Sequence, residues 1–576
     1  MERGSFFLWL AQNLFVLLFF PSLWPIFSDK IFDISLPLKP QLPFPALLTS
    51  AAAMLAILFV NPLGDFPLND DWQYAYPVKS WVEEGAMAFK GVFAPNILLQ
   101  VVWGYLFCKL AGGFDFTWIR LSTLILAGTG VVVLYNIVKR YAPGGRNVAF
   151  FAAAALASNP LFFSLSFSFM TDVPFLALCL LGVYAFHRYM ENGGTRWLFA
   201  AAGWAVGSYL IRQPGILLLP AFALSCLFFH RFTKKSLLVA AGLLALGGAT
   251  YLGLEFWLKP ALGIVGNFVP VGEKYSEALL RQPLVTGLEW VKKLLKTFIY
   301  LGFFGLPFLP FLWSKIKSQG LLPLRYGVFI LLANALLFFF LVKIGKPFPF
   351  GGNVLYNFGL GPELLADVYT LGLPNTPRLP DWAMLAVQFV SQLSATLLVW
   401  MCVKAFPSLA VHRQKQVLFH LLLNVLYLPL MSITSFFDRY LLLPLASFFF
   451  VLALFLPAAL LRSANFRYAC LVLMALFSLM ATKDYLAWNR AKHEAFNYLQ
   501  AQGIGIREMD AGYEYNGFYN YHPKRDAVEG RSFWWVTSDD WLISFGPVPG
   551  YEQVQAFPYR RMLFFKKDEI RVLKRK

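Results

Sequence analysis

The sequence predicts a polytopic α-helical membrane protein of about thirteen spans, ending in a small C-terminal α+β domain. Three observations carry that prediction. The 576 residues are 58% hydrophobic and only 14% charged, with a mean hydropathy of +0.58, whereas roughly a quarter of a soluble globular chain is charged. Apolar stretches near the ~20 residues that cross a bilayer recur through most of the chain. Short basic loops alternate with loops that hold acidic residues.

The spans are expected near residues 45–61, 118–138, 147–167, 173–187, 197–211, 213–229, 237–256, 297–313, 326–342, 383–403, 417–434, 440–460 and 467–482. Alternate connections are basic with almost no acid: Lys139, Arg140 and Arg146; Arg188 and Arg196; Arg231, Lys234 and Lys235; Lys315, Lys317 and Arg325; Arg413 and Lys415; Arg462 and Arg467. The positive-inside bias puts these in the cytoplasm. The opposite set is then extracytoplasmic. It holds Asp70, Asp71, Asp172, Arg212, Asp438 and Arg439, two long Pro/Gly-rich stretches at 257–296 and 343–382, and the tail. Much of the +18 net charge belongs to the inner loops, so nucleic-acid binding is rejected.

Three regions follow along the chain. Residues 1–44 include the apolar run 6–27, which fits an additional span, an interfacial aromatic segment or a signal sequence. A cleaved signal is the poorest fit, because no small-residue cleavage pattern follows, and the segment is assigned no role. Residues 45–482 form the membrane domain. Within it, 70–112 is only partly apolar and reads as two amphipathic helices on the outer surface. Residues 483–576 open with an amphipathic helix and shift to aromatic, strand-rich text (YEYNGFYNY, RSFWWVTS, WLISFG, RRMLFFKK, EIRVLKR), as a small soluble extracytoplasmic domain does. Cysteines 108, 179, 226, 402 and 470 all fall in apolar segments, with neither a disulfide framework nor a metal-type Cys/His spacing. They read as inert buried thiols.

Candidate chemistry lies in four short motifs. In NDDWQYA (69–75), Asn69 is placed to cap a helix, with Asp70 and Asp71 in its first turn. In FMTDVPF (169–175), Thr171 is placed to cap the next span and Asp172 lies in its first turn, where Pro174 is tolerated. Unpaired N–H groups and the helix dipole favour ionised carboxylates at both places. Simple capping is the competing account of each motif taken alone. Cations on the same side weaken that account: Arg212 in YLIRQPG, and Arg439 followed by Tyr440 in FFDRYLLLPL. A charge beside hydrocarbon is costly unless paired or met by an anion, and a guanidinium suits phosphate. For Arg439, a local salt bridge to Asp438 and snorkelling remain alternatives. Carboxylates and guanidinium groups at an outer interface suit attack of an acceptor hydroxyl on a sugar whose leaving group is a lipid phosphate. The carboxylate takes the proton and the cations hold the phosphate.

At these residues the chain resembles the membrane-embedded GT-C glycosyltransferases of the protein O-mannosyltransferase and aminoarabinose-lipid A transferase type, glycosyltransferase family 39-like, in their bacterial group. NDDWQYA resembles the acidic motif of the first outer loop, with Asp71 where many relatives have Glu. FMTDVPF resembles the second acidic motif. LIRQPG resembles a segment where relatives often carry Lys-Gly, and DRYLLLPL resembles an Arg-Tyr motif opening a late span. The likeness runs in order over roughly residues 45–480.

That resemblance implies a GT-C-like membrane domain, a polyprenyl-phosphate-linked sugar donor, and inverting transfer to a lipid, glycan or protein acceptor on the extracytoplasmic side of the bacterial inner membrane. It implies metal-independent or weakly metal-dependent chemistry: no cofactor is certain, and a divalent metal is open but not indicated. Asp70 is the expected base, Asp71 and Asp172 orient the acceptor or the base, and Arg212 and Arg439, with Tyr440, hold the phosphate. The shorter Asp71 puts in doubt any contact made by the longer Glu. A transporter or flippase of lipid-linked sugars is the rival class. Internal repeats and midplane polar residues mark such proteins, whereas here the polar residues gather at one interface.

Overall fold

The computed structural model describes residues 44–576 apart from 91–95, 230, 265–270, 319, 321, 346–347, 351–352, 358, 432–435, 457–460, 462–464, 523–534 and 537. The N-terminal run 6–27 and part of RSFWWVTS lie outside the described residues.

The chain is a multi-span helical membrane protein with a small C-terminal sheet. Among the described residues, seven helices are long and apolar enough to cross a bilayer: Phe116–Tyr141, Asp172–Asn192, Lys234–Ala261, Pro283–Ser314, Leu324–Lys343, Asp381–Ser408 and Phe466–Ala501. An eighth is a bent pair, Gly145–Ala157 and Pro160–Ser166, turned by 66°. Asn159 breaks it by accepting the N–H groups of Leu161 and Phe162, with Pro160 starting the second half. The other segments expected to span are helical but shorter or less apolar: Phe44–Val60, Thr195–Tyr209, Gln213–Phe229, Val411–Met431 and Leu442–Leu454.

Packing separates lipid-facing from protein-facing helices. In Leu324–Ile344, Leu336 is 72% and Phe339 69% exposed, as apolar side chains facing hydrocarbon are. Pro283–Gly305 instead presses on Asp381–Ala405 through Gly302. A Cβ there would collide with the Ser391 carbonyl oxygen, and Ser394 Oγ donates to the Gly302 carbonyl at 2.9 Å. Small residues permit such approach between membrane helices.

Two expected boundaries differ. The stretch 257–296 holds helix Val271–Arg281 and the first half of Pro283–Gly305. Pro283 sits at the start of that helix, where a missing N–H does no harm, and Glu289 pairs with Lys292 one turn on, at 2.8 Å. The division at 483 falls inside one 33-residue helix, Ala469–Ala501. Nothing near residue 483 breaks its periodicity, so the membrane segment continues directly into the tail.

That continuation carries the sheet. Strands β1 (Leu355–Tyr356) and β2 (Gly359–Leu360) form a small hairpin in the connection between Leu324–Ile344 and Asp381–Ala405. Strands β3 (Met509–Asp510), β4 (Trp541–Ser544), β5 (Tyr551–Arg561) and β6 (Lys566–Arg575) form a four-stranded sheet in the order β3-β4-β6-β5, with β3 and β4 parallel and the other neighbours antiparallel. Asp484 accepts the N–H groups of Met562 and Leu563 at 2.6 and 2.9 Å, and Trp488 packs edge-on to Phe545 at 5.0 Å. The helix and the sheet share one core.

One helix sets the axis of the site. Asp172–Asn192 begins at the second acidic motif, and near its far end Glu191 pairs with Arg140 at 2.7 Å. Its 21 residues rise about 30 Å, the thickness of a bilayer core. Arg413 donates to the Tyr141 carbonyl at the same end. Arg140 and Arg413, from two of the basic connections, therefore lie at the end of this helix opposite the second acidic motif.

Candidate active site

Asp70 precedes helix Asp71–Glu84 at the N-cap position, yet its side chain makes no capping bond. Its carboxylate reaches sideways instead. Oδ2 pairs with Arg439 Nη2 at 2.8 Å, the two side chains 13% and 6% exposed. Oδ1 accepts the Tyr513 hydroxyl at 2.8 Å. The expected cap, Asn69, stands one residue too early and adopts φ +52°, a left-handed conformation that Asn tolerates.

Asp71 turns the other way. Oδ1 accepts the Leu68 N–H at 2.7 Å and Oδ2 the Phe169 N–H at 3.3 Å, in a residue 1% exposed. Burial pushes its carboxyl up to about 7, against the charge of Arg120 and the two backbone donors. Arg120 is fully buried and donates to the carbonyls of Pro62, Gly64 and Phe66. Asp71 therefore ties the segment before its helix to the second acidic motif through backbone bonds.

Asp172 opens its helix as the first-turn pattern predicts, but Thr171 makes no side-chain cap. Both receive Arg212: Nη1 pairs with Asp172 Oδ1 and donates to Thr171 Oγ1 at 3.2 Å. Among the described residues, Asp172 Oδ2 is buried with no hydrogen-bond partner, and so is Arg439 Nε. Tyr440 joins the two pairs. Arg212 lies 4.7 Å and Arg439 5.6 Å from its ring centroid, and Tyr427 fixes its backbone by donating to the Tyr440 carbonyl at 3.0 Å. Arg439 lies within electrostatic reach of both Asp70 and Asp172. Asp70, Asp172, Arg212, Arg439 and Tyr440 thus form one cluster, and Asp71 braces it from behind.

Asp438 is not the partner of the Arg439 guanidinium. It accepts the N–H groups of Val354, Leu355 and Arg439. Burial pushes its carboxyl up to about 6, against those three donors. This frees the Arg439 side chain for Asp70 and pins β1 beneath the site.

Three contributors carry no legible signal in a single sequence. Tyr74, one turn after Asp70, has its phenol held protonated by burial, within electrostatic reach of Arg439, Asp70, Arg212 and Asp172. Gln73 Nε2 donates to Tyr513 Oη at 3.2 Å. Tyr513 lies in the tail, where the aromatic text reads equally well as sheet core. Among the described residues, no group of three or more His, Cys, Asp or Glu side chains could hold a metal ion.

Residues 103–250 match the family model described as dolichyl-phosphate-mannose-protein mannosyltransferase. That segment is about a quarter of the chain. It contains FMTDVPF and LIRQPG, two of the four motifs on which the family resemblance rests. Comparison with curated protein sequences gives no match. Among solved structures, the chain is similar to ArnT from Cupriavidus metallidurans in the apo state, at 14% identity and TM-score 0.35 over 83% of this chain and 84% of that one. The same protein bound to undecaprenyl phosphate gives 13% and 0.34 over 92% and 97%. The archaeal oligosaccharyltransferase AglB from Archaeoglobus fulgidus, in complex with an inhibitory peptide and a dolichol-phosphate, gives 14% and 0.32 over 80% and 60%. At such values the roles of individual residues rest on the geometry of this chain.

Proposed function

We propose that the protein is a glycosyltransferase that moves a sugar from a polyprenyl-phosphate donor to an acceptor hydroxyl on the extracytoplasmic side, with Asp70 as general base. The observation that carries this reading is the pair of largely buried carboxylate–guanidinium contacts, Asp70–Arg439 and Asp172–Arg212, each with one partner buried and the other 13% or 16% exposed, joined across Tyr440. Buried ion pairs are weak contributors to stability, so a cluster of two at a membrane edge points to a ligand that rearranges them.

A donor phosphate is such a ligand. Arg439 and Arg212 can turn their planar forks to its oxygens, which releases Asp70 from its cation and makes it a stronger base. The acceptor hydroxyl oxygen then bonds to the anomeric carbon while its proton passes to Asp70. The bond from that carbon to the phosphate oxygen breaks with its electron pair, and polyprenyl phosphate leaves with its growing charge matched by the two guanidinium groups. Attack opposite the leaving group inverts the anomeric centre. Asp172, with one oxygen on Arg212 and the other without a partner, is placed to orient the acceptor, and Asp71 holds the two acidic segments together. The donor's isoprenoid tail stays in the bilayer, which fits a site at one end of an axis of about 30 Å.

The test is lipid and glycan profiling of a deletion strain. One glycan should lack a sugar while a polyprenyl-phosphate sugar accumulates, and plasmid-borne wild type but not Asp70→Asn should reverse both. An unchanged glycan and lipid profile would remove the reading.

A further inference from the structure

We propose that Tyr513, from the C-terminal segment, is a positioning residue for Asp70, so that the tail completes the transfer site. The inference rests on the reading of Asp70 as base. Tyr513 Oη donates to Asp70 Oδ1 at 2.8 Å, and the same oxygen accepts the Gln73 amide at 3.2 Å. The phenol can both accept and donate. With Gln73 occupying an acceptor site, the phenolic proton points at the carboxylate. Arg439 holds the other carboxylate oxygen. When phosphate draws Arg439 away, Tyr513 is the contact that still fixes the base.

The neighbours of Tyr513 grip the same stretch of the first outer loop. Glu514 Oε1 accepts the Asn69 N–H at 3.3 Å. Its Oε2 pairs with Lys492 at 3.0 Å, both side chains fully buried, and Lys492 belongs to the long Ala469–Ala501 helix. The Gly517 backbone lies so close to the Trp72 indole that a Cβ there would come within 2.4 Å of it. Tyr513 is itself set by its N–H on the Leu364 carbonyl at 3.1 Å and by an edge contact with Trp72 at 6.0 Å. Backbone, carboxylate and indole of residues 69–72 are thus all held from residues 513–517. A residue that merely filled space there would need the ring and not the hydroxyl.

Tyr513→Phe keeps the ring and removes the hydroxyl. The full-length protein in nanodiscs is assayed with a panel of synthetic polyprenyl-phosphate hexoses and pentoses and a membrane extract as acceptor. Tyr513→Phe should lower kcat about 10- to 100-fold with donor KM within about twofold of wild type, because a positioned base contributes roughly 10²–10⁴-fold. Adding it to Asp70→Asn should slow the enzyme no further, since residues acting as a unit are not additive. Gln73→Leu should lower kcat in the same direction by about 3- to 10-fold by freeing the hydroxyl to rotate, and it decides the matter if Tyr513→Phe does not fold. Wild-type kcat in Tyr513→Phe, or in Gln73→Leu where Tyr513→Phe does not fold, overturns the proposal, as does a full multiplicative loss in the double variant. Survival of more than about a tenth of the activity in Asp70→Asn sinks the base assignment instead, so the two failures are told apart.

Discussion

The two acidic motifs begin alike, each a helix start presenting a carboxylate toward one cluster, yet they are held very differently. Asp70 has both oxygens engaged, one by Arg439 and one by Tyr513, each from a distant part of the chain. Asp172 has one oxygen on Arg212, forty residues along, and the other buried with no partner among the described residues. A carboxylate fixed on both sides suits a proton acceptor that must keep one orientation. One with a vacant lone pair suits a ligand group that arrives later. The difference is the reason we propose the base in the first motif and acceptor contact in the second.

Four perturbations sharpen or break that contrast. Asp70→Asn should remove at least about 10²-fold of the transfer rate, because the amide cannot take the proton; equal loss in Asp70→Asn and Asp172→Asn would erase the distinction. Arg439→Ala should raise donor KM by about tenfold or more and lower the melting temperature, since stripping a partner from a buried pair costs about 3–5 kcal/mol. Arg439→Lys, which keeps the charge without the fork, should fall between, and an unaltered donor KM in both would end the phosphate role. Asp172→Asn should reduce turnover by about tenfold, with acceptor KM affected more than donor KM; the reverse pattern would place Asp172 on the donor.

The smallest effect concerns Asp71. Its folded carboxyl, pushed up to about 7 from an ordinary 3.8, binds its proton more tightly than the unfolded chain does. Its stabilisation is therefore complete below pH about 4 and is lost as pH rises to about 7. Melting curves of wild type and Asp71→Asn between pH 4 and 8 should differ by a slope of that sign; parallel curves would show that the group does not titrate there.

Local rules made the helix start at residue 172 legible and placed the one at 71 a residue early, because first-turn acids and an early proline act within one turn. The membrane class followed from composition, and the grouping of basic loops from their alternation. Pairing across the chain was not legible. Asp438 adjoins Arg439 in sequence, and only the approach of Val354 and Leu355 shows that its carboxylate is already occupied. The continuation of the last membrane helix to Ala501 was hidden by a change from apolar to amphipathic residues that leaves the 3.6-residue period intact. Tyr513 is one tyrosine among 25, and its meaning comes from Gln73 and Asp70, some 440 residues away.

That separation has a consequence during synthesis. Asp70 leaves the ribosome 443 residues before Tyr513, a lag of roughly 20–90 s at about 5–20 residues per second. The nascent bundle can thread into the bilayer throughout that time without the Tyr513 contact to Asp70. Translation that stalls before Tyr513 leaves a bundle whose Asp70 lacks this contact, so on the proposed role of Tyr513 the last stretch of the message completes the site.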